Sequence, residues 1–140
     1  MLDLTSPKDA HVDQRLRKDP IIWLSTVRPD GRPHLVPVWF FWDGKTILIF
    51  SQPGAQKLRN LQHNPNVMLA LEAAKQGDDI VLIEGRAELL GRSGQTMNMP
   101  EFAKKYDALI KSMNSNPDEL AESYSEGIRI TPTRFINWDG

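Results

Sequence analysis

The sequence has no cysteine. That one absence removes disulfides, thiol nucleophiles, zinc–cysteine sites and iron–sulfur clusters together. No apolar run approaches the roughly 20 residues needed to cross a bilayer as a helix. Residues 1–20 are polar and lack the apolar centre of a signal peptide, so the expectation is a cytoplasmic protein. Excess charge of either sign is missing too: 17 Lys and Arg stand against 18 Asp and Glu, with no block of one sign. Nucleic-acid binders concentrate positive charge on one surface, so nucleic acid is not an expected partner. There is no Gly-rich phosphate loop and no dinucleotide fingerprint. The three histidines, His11, His34 and His63, fall in three separate segments, none paired at metal-ligand spacing. The run Gly91-Arg92-Ser93-Gly94 lacks the spacing of a nucleophile elbow and reads as a plain loop.

The 140 residues fit one domain, taken as 1–140, of ordinary composition, 40% hydrophobic and 25% charged. Ser6-Pro7 opens a helix to about Lys18, with Ser6 at the cap and Pro7 at the first helical position. Residues 21–27 are apolar and β-prone. Arg28-Pro29-Asp30-Gly31 follows with the chemistry of a type I turn closed by a glycine bulge. Residues 33–42 read as the next strand, Asp43-Gly44 as a hairpin turn and 46–51 as the return, giving three consecutive antiparallel strands. Ala55, Leu58 and Leu61 mark a short helix stopped by Asn64-Pro65. Strands are expected at 66–72 and 79–90, a helix at 100–113, a capped start at Asn116-Pro117-Asp118-Glu119, and a closing strand at 127–138. The fold class is mainly β: a six-stranded antiparallel split β-barrel with flanking short helices, since closure hides strand edges.

Two features carry chemistry. At the strand-to-helix junction 50–57, a helix N-terminus with the Ser51 hydroxyl and the Lys57 ammonium can form an anion pocket. On the second strand, Pro37, Trp39 and Phe41 alternate with Val36, Val38 and Phe40. Both faces are apolar. One is barrel core, and the other must be covered by a partner subunit, a ring-shaped ligand or both.

These segments together resemble the pyridoxamine 5′-phosphate oxidase-like superfamily, closest to its probable F420-dependent oxidoreductase branch. The resemblance rests on Thr26-Val27-Arg28-Pro29-Asp30-Gly31, on Pro37-Val38-Trp39, and on Lys57-Leu58-Arg59-Asn60 ending at Asn64-Pro65. It implies a homodimer with two interfacial sites for FMN or coenzyme F420 and hydride exchange with a small-molecule substrate. Carried over, Val36, Pro37, Val38 and Trp39 approach the ring, and Ile49, Phe50 and Ser51 its ribityl side. Lys57 and Asn60 take the phosphate, and Arg134 and Trp138 reach in from the other subunit. His34 and Arg32 read as structural or solvent-exposed, and no catalytic acid or base is assigned. A non-catalytic flavin- or haem-binding carrier or sensor is the alternative.

Overall fold

In the computed structural model, which describes residues 2–92 and 96–138, the chain from residue 7 onward alternates helix and antiparallel strand. Helix α1 (Pro7–Lys18) precedes β1 (Ile22–Val27) and β2 (Pro33–Val38). Two short strands follow, β3 (Phe41–Trp42) and β4 (Ile47–Ser51), then helix α2 (Gln56–His63). Strands β5 (Asn66–Leu71) and β6 (Ile80–Gly91) come next. Helices α3 (Pro100–Lys105), α4 (Asp107–Ser112) and α5 (Pro117–Ser123) then lead into β7 (Glu126–Trp138). Ser93 and Gly94 of the loop motif, and the side chain of Trp138, lie outside the described residues.

The turn between β1 and β2 forms as its residues dictate. Gly31 donates its backbone N–H to Arg28 at 2.9 Å, and Arg28 donates to Arg32 at 2.8 Å. Gly31 sits at φ +90°, a conformation open to glycine at little cost. The expected strand at 33–42 is corrected. It breaks at Trp39-Phe40 into β2 and β3, which raises the strand count to seven. The three consecutive pairings are corrected with it: β2 pairs only with β1, whereas β4 pairs with β3 and β7.

The break is what closes the barrel. Sheet order is β2-β1-β5-β6-β7-β4-β3, so β2 and β3 are opposite edges. A flat sheet of that order would hold them about 29 Å apart, six spacings of ~4.8 Å. Yet only Trp39 and Phe40 join them, a span of about 11 Å at full extension. The sheet must therefore curl until its edges nearly meet.

Inside the curl, Ile22, Leu24, Ile47, Ile49, Leu69, Ile83, Ile128 and Ile130 are fully buried, with Val12 and Leu16 of α1 packed against them. The 100–113 helix divides at Tyr106 (φ −106°, ψ 13°) into α3 and α4. Phe102, Tyr106 and Ile110 are buried as one face, while Leu109 and Met113 stay exposed. That face forms a second cluster with Leu48, Phe50, Met97, Met99 and Leu120 outside the barrel wall. Hence β4, rather than β2, is buried on both sides at every position. Trp39 and Phe41 are covered by these helices of their own chain, whereas Pro33, Leu35 and Pro37 on β2 remain exposed.

The backbone at the crossover has no strand neighbour, so side chains satisfy it. Phe40 donates its N–H to the Tyr106 hydroxyl at 2.9 Å, and that hydroxyl reaches the carbonyls of Pro20 at 2.7 Å and Phe40 at 3.0 Å. Lys105 donates to the Phe40 carbonyl at 2.9 Å, with its ammonium 3.6 Å from the centre of the Phe40 ring.

Candidate functional site

A cavity of about 260 Å³ opens where the crossover, the end of β4, the start of α2 and the helical excursion meet. Pro37, Val38, Trp39, Phe50 and Lys57 line it from the barrel side, with Ile21. Met97, Phe102, Met113, Leu120 and Tyr124 line it from the helical side. Five of the residues singled out in the sequence are thus brought to one space.

Alternation sorts the others. Phe50 faces the cavity, so Ile49 points into the barrel core, where it is fully buried; only its backbone is on offer to a ligand. Ser51 is also fully buried and donates its hydroxyl to the Gln52 carbonyl at 2.9 Å. Val36 lies opposite Leu24 in the β1–β2 register, half-buried and off the cavity. Asn60 has no exposed surface. Its amide donates to the Thr26 hydroxyl at 2.9 Å, and its carbonyl accepts from Gln56 at 2.7 Å. It pins α2 to β1 and so sets where Lys57 stands. Arg134 is exposed on β7, with Glu84 4.0 Å away. Trp138 pairs with Ile80 across the sheet. Arg134 does not line this chain's own cavity.

The electrostatics centre on Lys57. It lies in the first turn of α2, whose N-cap, Ala55, supplies no side-chain hydrogen bond, so the helix start keeps unpaired N–H donors. Burial holds the Lys57 pKa below the ordinary lysine value, and no carboxylate pairs with it among the described residues. His34 is also lowered, first by burial and then by the nearby charges of Arg28 and Lys57. Its Nδ1 is buried without a partner. In this corner Arg28 shares its field with the Asp30 carboxylate and His34 is held toward its neutral form, so the uncompensated charge is that of Lys57, which suits an anion. Among the described residues no group of three His, Asp or Glu side chains is placed to hold a metal ion. Nor is any helix there long and apolar enough to cross a membrane.

Sequence reasoning missed the helical wall and undervalued His34 and Arg28. Phe102 and Met113 do share a helical face in the sequence, but nothing local says that this face meets Pro37 and Trp39. His34 sits two residues beyond the Gly31-Arg32 turn, opposite Thr26. That register could have placed it beside the Asn60–Thr26 contact.

Comparison with known proteins bears on the fold and the family. No curated protein matches the chain. Among solved structures, the conserved hypothetical protein Rv2991 from Mycobacterium tuberculosis is 27% identical with a TM-score of 0.75, covering 93% of this chain and 83% of its own. A protein titled F420 reductase is 25% identical with a TM-score of 0.64, covering 88% and 94%. HutZ, a haem storage protein from Vibrio cholerae, shares the fold at 16% identity and a TM-score of 0.67, covering 92% and 93%. The sequence profile of one family, pyridoxamine 5′-phosphate oxidase, matches residues 8–139, essentially the whole described barrel with its helices. The chain belongs to the pyridoxamine 5′-phosphate oxidase family.

Proposed function

We propose that this protein is a cytoplasmic homodimeric oxidoreductase that holds a phosphorylated flavin-type cofactor, FMN or coenzyme F420, and acts on a small molecule. The observation that carries the reading is Lys57. It is a half-buried ammonium without a carboxylate partner, at an uncapped helix start, in the same cavity as the Pro37–Trp39 backbone. Burying a cation without a counter-charge is costly, and a phosphate would remove that cost. Lys57, the first N–H groups of α2 and the Arg28–His34 corner would hold the phosphate. The backbone at 36–39 and 49–51 would border the ring and its ribityl chain. Asn60 acts by positioning α2, and Arg134 and Trp138 would belong to the partner subunit's site. Such a group supplies two-electron hydride chemistry when bound, while the protein supplies orientation and electrostatics. The exposed Pro33, Leu35 and Pro37 on the β2 edge supply an apolar face for the second subunit.

The test is a titration of apo protein with FMN and with F420, followed by absorbance and fluorescence, for wild type and Lys57→Ala. A charge-assisted contact is worth about 1.5–3 kcal/mol, so the variant should bind roughly ten- to a hundredfold more weakly. Its thermal melt should be unchanged or improved, because the substitution removes a desolvated charge. Unchanged affinity would move the phosphate elsewhere. A Soret band in purified protein, with no binding of FMN or F420, would favour the haem carrier reading instead.

A further inference from the structure

The helical wall of the cavity has no role in the reading so far. Met97, Phe102, Met113, Leu120 and Tyr124 all come from residues 96–124, the excursion between β6 and β7. We propose that the space between this wall and the Trp39 side takes the site's second ligand: a neutral, flat, apolar molecule of one or two rings carrying a single acceptor oxygen. The inference rests on the flavin-type reading, because it is a bound phosphate that leaves Lys57 occupied.

Three observations point to this class. The first is charge. Among the described residues that line the cavity, only Lys57 is ionic and none is a carboxylate. With Lys57 committed to a phosphate, a second anion would find no cation and a cationic ligand no acid. An uncompensated charge in such a space costs more than its apolar contacts return. The second is size and texture. The cavity is about 260 Å³ in all and the cofactor takes a share of it, which limits the second ligand to one or two rings. Trp39 is fixed by a parallel stack on Tyr106, with centroids 4.4 Å apart and planes 3° from parallel, so one side is rigid and aromatic. Met97 and Met113 give the other side flexible, polarisable thioethers that adapt to different ring outlines. The third is Tyr124, which among the described residues is the only hydroxyl in the lining and makes no side-chain hydrogen bond. It is the donor on offer to an acceptor oxygen.

The experiment is calorimetric titration with 2-acetylnaphthalene and with its ring-carboxylated analogue, 6-acetylnaphthalene-2-carboxylate. Cofactor-loaded and apo protein are both used, with the cofactor oxidised so that binding alone is read. In loaded protein the neutral ketone should bind at least tenfold more tightly than the carboxylate. Met113 is 55% exposed, so Met113→Glu should fold normally while weakening the neutral ketone tenfold or more. Tyr124→Phe should weaken it about three- to tenfold, the loss of one neutral hydrogen bond. Equal affinity for the two ketones in loaded protein, or no effect of Met113→Glu, overturns the proposal. If neither FMN nor F420 binds, the flavin-type reading falls separately, and the apo arm still decides the wall. Neutral-ketone binding that is lost in Met113→Glu supports it, and absence of binding overturns it.

Discussion

Replacing Tyr106 by Phe removes one oxygen from the point where the barrel closes. That oxygen accepts the Phe40 N–H at 2.9 Å and reaches the Pro20 carbonyl at 2.7 Å and the Phe40 carbonyl at 3.0 Å. Its ring stacks on Trp39 and tilts against Phe102, contacts that phenylalanine keeps. The Phe40 carbonyl retains Lys105 and the Pro20 carbonyl, on an exposed residue, can turn to water, so one buried backbone group, the Phe40 N–H, loses its side-chain partner. An orphaned buried group costs about 1–3 kcal/mol, and that is the expected loss, with almost no change in packing. Urea denaturation followed by tryptophan fluorescence measures it. With a slope of about 2 kcal/mol/M, typical of small proteins, the midpoint should fall by roughly 0.5–1.5 M at constant slope. A loss below about 0.5 kcal/mol would refute the argument that this hydroxyl substitutes for strand pairing at the crossover. The phenol itself should stay un-ionised past the usual tyrosine range, since burial pushes its pKa up.

Other consequences can be checked on the same material. A Cβ on Gly85 would stand 2.8 Å from Ile130 Cγ2 and 3.0 Å from the Thr131 carbonyl, at the bulge between β6 and β7. Gly85→Ala should therefore cost about 1–3 kcal/mol in a melt or urea curve, and a neutral result would mean the bulge is soft. Burial lowers the Lys105 pKa from 10.5 to about 8. Between those values the unfolded chain holds a proton that the folded one has lost, so stability should rise with pH, by about 1.4 kcal/mol per unit for one proton. Lys57, lowered for the same reason, adds in the same direction. Above about pH 10 the trend should reverse, as Tyr106 ionises in the unfolded chain first. A steady decline from pH 8, or a rise undiminished in Lys105→Met, would contradict this assignment. The exposed β2 face should make the protein dimeric at micromolar concentration, and Leu35→Glu, at a position 59% exposed, should dissociate it; a wild-type monomer by sedimentation would refute the interface.

What the sequence makes legible is what neighbours along the chain decide. The helix Pro7–Lys18 follows from Ser6-Pro7, the first hairpin from Pro29 and Gly31, and the last helix from Asn116, whose side chain accepts the Glu119 N–H at 2.9 Å. In the closing strand Ile128 and Ile130 are buried, Arg129 is half-buried and Thr131 exposed, the alternation that local sequence carries for a strand with one covered face. What it hides is decided at a distance. Residues 36–42 are uniformly apolar and β-prone, so no local signal marks the break at Trp39-Phe40. It arises because β7 pairs with both β6 and β4, which draws the second hairpin to the far edge of the sheet. The divided helix has the same origin, since Tyr106 serves the Phe40 backbone, a partner 66 residues away. The site divides along this line too. Pro37, Val38, Trp39, Phe50 and Lys57 lie on two short stretches flanking one hairpin, where alternation and helix-start chemistry apply. Met97, Phe102, Met113, Leu120 and Tyr124 reach the same cavity through the β6–β7 excursion. Their helical period marks a buried face without saying what it faces. The barrel side of the cavity is thus set by the strands that close the fold, and the helical side by an excursion that serves the closure only through Lys105 and Tyr106. Residues 96–124 other than Lys105 and Tyr106 are accordingly where a change of ligand preference can occur at least cost to the barrel.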